Sequence, residues 1–225
     1  LMTSFALQCL AEDLPTILDL LTEILSQPAF PEKHFARIQS QILTTLAIRA
    51  QDTAAMADQA FDRLLYQTHP FAHPSIGYAQ DIMALTLDDL RAFHSDYYTP
   101  QNMIIAASGG LAPEELTKIV ENTLGAWHKT APQKQPDLPD FFPPTKSQRE
   151  HITMEDKSQT DLIIGVLGPK TQGDDFQAAS IANNILGQFG MMGRVGESVR
   201  EKAGLAYYVQ SALGAGLGPT PWQVV

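Results

Sequence analysis

Residues 174–213, DDFQAASIANNILGQFGMMGRVGESVREKAGLAYYVQSAL, decide the fold. Asp174 or Asp175 caps a helix that ends at Gly187, and a loop carrying Gly187, Gly190, Gly193 and Gly196 follows. A short helix then reaches Lys202, and Leu205 to Leu213 alternates as a strand. Just upstream, Ile152 and Met154 alternate with polar neighbours, and Leu162 to Leu167 is an apolar run of strand length. At the far end, Trp222 to Val225 reads as a strand cut short.

Residues 131–147 lack this periodicity. Pro132, Pro136, Pro139, Pro143 and Pro144 crowd them into a semi-rigid linker. Before the linker, Asp13 and Pro15 open a helix whose apolar face is Leu14, Ile17, Leu18, Leu21, Ile24 and Leu25. Phe35, Ile38, Ile42, Leu43 and Leu46 mark a second helix, and Met56, Ala57, Ala60, Phe61, Leu64 and Leu65 a third. Pro70, Pro74 and Gly77 make residues 68–78 a loop. Thr86 to Asp89 resembles a capping box, with Leu90, Phe93 and Tyr97 inward behind it. Leu1 to Leu7 and Met103 to Ala107 read as strands, and Pro113 opens a helix that Gly125 ends. Strands and helices mix on both sides of the linker. The expectation is therefore α+β, with most of one unit over 1–130 and the first part of another over 148–225. Leu1 falls inside a strand without the charged region of a signal peptide, so the chain reads as a piece of a longer protein.

Composition narrows the function. Fifteen Lys and Arg against twenty-five Asp and Glu give a net charge of −10, which repels phosphate backbones and anionic membrane surfaces. No apolar run reaches the roughly 20 residues of a membrane span. The single cysteine, Cys9, excludes an internal disulfide framework and reads as a small buried hydrophobe in a strand.

Few residues carry chemistry by spacing alone. His69 and His73 have the spacing of two ligands on one helix face, but Pro70 and Pro74 forbid that helix, which leaves packing or capping roles. His34, His94, His128 and His151 are scattered singly. The glycine run resembles a phosphate loop only loosely, since no Walker Lys-Ser/Thr ends it; a hinge or a close-approach loop accounts for it. Arg200 and Tyr207 straddle a helix-to-strand junction, where a guanidinium fork and a phenol hydroxyl can grip a carbonyl or carboxylate. By spacing alone, a surface charge at Arg200 and a strand residue at Tyr207 is the better account.

Several segments together resemble the insulinase/pitrilysin family of zinc peptidases, which includes the mitochondrial processing peptidase. These are Cys9 to Pro15, Pro28 to Pro31 with Phe35 to Arg37, and Leu65-Tyr66 with His69-Pro70-Phe71 and Gly77. Further on come Leu85 to Leu90, Phe93-His94, Tyr97 to Met103, and Val199-Arg200-Glu201-Lys202-Ala203-Gly204-Leu205-Ala206-Tyr207. They fall in family order over nearly the whole chain. The resemblance implies the metallohydrolase fold of the processing peptidases: repeated α+β units, each an antiparallel-rich sheet with helices on one side, closing around unfolded peptide.

Active members of the family bind zinc through H-x-x-E-H and a distant Glu. The five-residue motif is absent, and by family spacing it falls before Leu1. The resemblance places Thr45 at the distant Glu, and no carboxylate lies between Phe35 and Ala50. The implied role is the non-catalytic subunit of a heterodimeric metalloendopeptidase. Such a subunit binds extended peptide and supplies Arg200 and Tyr207, while zinc sits on a homologous partner or on an upstream segment. Gly187, Gly190 and Gly193 match a family segment associated with substrate handling. Two rival readings are a single-chain zinc peptidase whose motif precedes residue 1, and a structural or peptide-binding module without proteolysis. The resemblance also suggests a bacterial periplasmic location.

Overall fold

Leucine spacing builds the first helix. In the computed structural model, which describes residues 3–127, 139–216, 218 and 220–225, α1 spans Leu14–Ser26 with Pro15 in its opening turn. Proline suits that place because the first-turn N–H groups have no helical partner. Leu14, Leu18, Leu21 and Leu25 recur at helical spacing. Leu18 and Leu25 bury against Leu124, flanked by Ile119, Val120, Tyr98 and Trp127. Ile24, expected on this face, is 59% exposed because it lies one residue short of the stripe. The partner surface comes from α6, Pro113–Asn122, and the 3-10 turn that follows it.

The chain divides into two compact units, residues 1–41 with 80–137 and residues 42–79 with 138–225. The division falls inside α2, Glu32–Arg49. Besides α1 and α6, the first unit holds most of α4, Ala79–Ala84, and all of α5, Leu87–Tyr97. The expected capping box opens α5. Thr86 Oγ1 accepts from the Asp89 N–H at 3.3 Å, and Asp89 Oδ2 accepts from the Thr86 N–H at 2.8 Å. His94 Nε2 meets the Leu25 carbonyl at 2.7 Å and ties α5 to the end of α1. Phe93, expected inward, is 55% exposed and stacks on Tyr97 instead.

Two expected strands of the first unit do not form ladders among the described residues. Thr3 to Leu7 and Met103 to Ala107 belong to no strand, with Leu7 48% and Ile104 93% exposed. An apolar run favours burial, but a strand also needs a neighbour for its N–H and C=O groups. Cys9, expected to be buried, is exposed for the same reason.

The second unit carries the sheet. β1, Ile164–Leu167, β2, Ser211–Leu213, and β3, Pro221–Val224, form an antiparallel sheet in the order β1-β3-β2. In register, Val166 pairs with Trp222 and Trp222 with Leu213, while Ser211 pairs with Val224. The expected strand from Leu205 shortens to Ser211–Leu213 because β3 is four residues long, and Gln210 and Val225 add one more reciprocal pair. Ile152 and Met154 take no part in a strand. α7, Phe176–Leu186, covers the face bearing Ser211 and Trp222. Alternation turns Gly165 to the other face, where a Cβ would lie 2.7 Å from Cζ of Phe61 on α3, Thr53–Tyr66. Asp52 caps α3 by accepting from the Ala55 N–H at 2.7 Å. Leu65, Tyr66 and Ala72 are its buried cluster, with Phe61 and Phe141 against them. The fold is thus α+β and helix-rich, with a small antiparallel sheet. Of the expected linker, residues 131–138 lie outside the described residues, as does His128.

Asp58, Asp62 and Tyr66 stand four apart along α3, so they share one ridge. Burial raises the Asp62 carboxyl above its ordinary value, and the Asp58 charge adds to the rise. Burial, with Asp62 beside it, also pushes the Tyr66 phenol up to about 12. A raised carboxyl favours the folded state only while protonated. Its contribution is complete below the unfolded value of 3.8 and is lost as pH rises through the folded value. Asp62→Asn is therefore expected to melt higher than wild type at pH 7, with the gap closing as the pH falls below that range. Thermal melts across pH check it; equal melting temperatures at pH 7 would refute it.

Candidate functional site

α7 ends where its backbone turns back on itself. The Asn183 carbonyl accepts from the N–H groups of Gly187 at 2.9 Å and Gln188 at 3.1 Å, closing the helix. Gly190–Met192 then makes one 3-10 turn, and the chain crosses over its own start. A Cβ on Gly193 would overlap the Gly187 Cα and lie 2.7 Å from Gly187 N and 2.8 Å from the Leu186 carbonyl oxygen. Only a residue without a side chain permits that backbone-to-backbone approach. Of the two readings the sequence leaves open for this loop, the geometry is that of a close-approach loop.

From Val195 the chain enters a π-helix, Gly196–Lys202. The Ala203 N–H donates to the Ser198 carbonyl, five residues back, at 3.2 Å. The wide turn brings Lys202 Nζ to 2.7 Å from Glu197 Oε1, which holds that carboxyl below its ordinary value. Gly204, at φ 61°, ends the helix in the left-handed conformation. π-Turns often mark functional segments. This one carries Arg200, and the chain beyond Gly204 returns Tyr207 to it. The guanidinium carbon lies 4.8 Å from the centre of the Tyr207 ring. The phenol is 87% exposed, whereas the Arg200 side chain is 29% exposed and has Glu201 3.6 Å from its Nε. A stack of this kind contributes about 0.5–1 kcal/mol at an exposed site, enough to orient the pair. Both groups offer hydrogen-bond donors, so together they suit an oxygen that carries or develops negative charge.

The glycine loop leads directly into the helix that carries Arg200. Glu197 N donates to the Gly193 carbonyl at 3.0 Å, and the hypothetical Cβ of Gly190 would stand 3.9 Å from the Tyr208 ring. Arg200, Tyr207, Gly187, Gly190 and Gly193 all belong to the second unit; Arg200, Tyr207 and Gly190 reach its surface, whereas Gly187 and Gly193 are buried in the crossing.

Residues that spacing did not flag lie beneath the loop. Asn183 and Ser211 are 2% and 0% exposed, and both bond to each other and to the Trp222 indole. The available signal was an amide on the inner stripe of α7 shared with Phe176, Ala179 and Leu186, while Ile181 and Ile185 face outward.

The histidines do other work. His69 Nδ1 accepts from the Phe71 N–H at 3.2 Å and its ring packs on Phe71 and Phe141, while His73 packs on Tyr78. Thr45 is an exposed residue of α2, and no carboxylate lies beside it between Phe35 and Ala50. Among the described residues, no three His, Cys, Asp or Glu side chains converge to hold a metal ion. A neutral hydroxyl does not complete a zinc shell of nitrogen and carboxylate ligands, so these residues do not fit a catalytic zinc. Among the described residues, no helix is long and apolar enough to cross a membrane.

Known proteins fit this architecture. A crystal structure of a peptidase M16 inactive domain from Pseudomonas fluorescens matches with a TM-score of 0.81 at 32% identity, over 95% of this chain and 51% of that one. An uncharacterized zinc protease of Mycobacterium tuberculosis is 28% identical over 216 residues, covering 94% of this chain and 48% of the relative. A probable mitochondrial-processing peptidase subunit beta of Schizosaccharomyces pombe is 28% identical over 180 residues, covering 78% of this chain and 38% of the relative. The chain therefore spans about half the length, or less, of these relatives. Residues 84–224, which include the sheet, the glycine loop and Arg200 with Tyr207, match the model described as the Peptidase M16 inactive domain, and the chain belongs to that family.

Proposed function

We propose that this chain is part of the non-catalytic subunit of a heterodimeric zinc metalloendopeptidase, and that it binds extended peptide through Arg200 and Tyr207. The observation that carries the reading is the stack of Arg200 on the exposed Tyr207 ring. An extended peptide laid across this surface presents a backbone carbonyl to both donors. Arg200 donates an N–H and Tyr207 its O–H to the carbonyl oxygen, and both bonds strengthen as negative charge develops there. The absence of a carboxylate on α2 between Phe35 and Ala50 supports assigning the metal to a homologous partner. The name of the Schizosaccharomyces relative, a subunit, agrees with an assembly of two chains.

The full-length protein, purified alone, is expected to hold no stoichiometric zinc and to cleave no peptide; adding the homologous zinc-bearing partner restores cleavage. One zinc per lone polypeptide, measured by atomic emission, would overturn the proposal. It would favour the second reading, a self-sufficient zinc peptidase, which the zinc-protease name of the Mycobacterium relative supports.

A further inference from the structure

Beneath the glycine loop lies a polar cluster that the carbonyl-binding pair does not use. Asn183 is 2% exposed and Ser211 fully buried, so each polar atom there needs a partner inside the protein. The indole N–H of Trp222 can only donate, and it lies 2.9 Å from Asn183 Oδ1, which fixes the orientation of the amide. Ser211 Oγ donates to the same oxygen at 2.5 Å and stands 3.2 Å from the indole nitrogen. With its oxygen so committed, Asn183 turns its NH2 to Gln188 Oε1 at 3.3 Å. The side chain therefore joins β2 and β3 to the first residues of the loop.

The backbone, with the Gln210 side chain, makes the same connection. The Asn183 carbonyl receives the Gly187 and Gln188 N–H groups, Ser211 N donates to the Gly187 carbonyl at 3.0 Å, and Gln210 Nε2 donates to the Gln188 carbonyl at 2.9 Å. Gly187 is the residue over which Gly193 crosses. Whatever fixes Gly187 also fixes the crossing.

We propose that Asn183 is a positioning residue: clamped by Ser211 and Trp222, its buried amide sets the shape of the Gly187–Gly193 crossing and so presents the loop as a rigid cradle for extended peptide. The cradle's use rests on the function proposed above; the clamp does not.

The test separates the two. Asn183→Ala removes the acceptor of the Ser211 hydroxyl and leaves the Trp222 N–H only its 3.2 Å bond to Ser211 Oγ, and a protein so altered can fail to fold. Trp222→Phe keeps an aromatic ring and removes one donor, and Ser211→Ala removes the other. In full-length protein carrying either change, the amides of Gly190, Gly193 and Ser211 are expected to exchange hydrogen about tenfold faster, with the β1–β3 ladder amides unchanged. Unchanged exchange at the loop, or equal acceleration throughout the second unit, overturns the clamp. In the reconstituted peptidase the same variants are expected to raise KM about tenfold and leave kcat within about twofold, the pattern of lost binding that ground and transition states share. Faster loop exchange with KM unchanged keeps the clamp and removes the cradle. Absence of any peptidase in the reconstitution refutes the function proposed above while the exchange data still decide the clamp.

Discussion

Arg200→Ala in the assembled peptidase is expected to lower kcat about a hundredfold, the effect of losing one preorganised donor to a developing oxyanion. Tyr207→Phe is expected to lower it less, because the ring that stacks on the guanidinium remains and only the hydroxyl is lost. Tyr207 is 87% exposed, and neither residue belongs to a buried apolar cluster. Both variants should therefore melt and assemble like wild type. Steady-state kinetics on an extended peptide, with size-exclusion chromatography of the complex, check this. Unchanged turnover in both variants would remove the pair from the reaction. A loss of turnover that tracks a loss of assembly would reassign it to the interface.

Gly193→Ala is expected to act through the backbone. Its methyl group would overlap the Gly187 Cα, and the atoms it meets are main chain, which cannot swing aside as a flexible side chain does. Overpacking of this kind destabilises by about 1–3 kcal/mol. The loop must part from α7 to accept the methyl, so peptide binding falls as well. A drop in melting temperature with weakened binding of a fluorescent extended peptide is the expected result. Gly204→Ala is the informative control: it meets no atom within 4 Å, and its penalty comes from its φ of 61° alone. Equal peptide affinity in Gly193→Ala and wild type would sink the argument from crowding.

Much of the second unit was legible because its signals are local. Gly187 ends α7, and Pro70 and Pro74 forbid the α-helix that would align His69 with His73; in the first unit, Thr86 caps α5 through a bond spanning three residues. Arg200 and Tyr207 were legible through their family motif, and the contact between them follows from the turn at Gly204. The features that escaped depend on distant partners. Thr3 to Leu7 and Met103 to Ala107 carry strand-like residues, but pairing is a property of two segments and not of one. Asn183 escaped for a different reason. α7 turns its isoleucines outward and an amide inward, the reverse of the pattern by which apolar spacing is read.

The π-helix at Gly196–Lys202 makes the length of this segment a constraint separate from its composition. Its wide turn holds one residue more than an α-helical turn would. A deletion between Gly196 and Val199 would let the backbone tighten, and each residue dropped from a regular helix rotates the downstream chain by about 100°. The guanidinium would then swing away from the aromatic ring with every other letter intact. Sequence changes here are tolerable at the solvent-facing positions Glu197 and Lys202, whereas the count of residues between the last loop glycine and Arg200 is not free to drift.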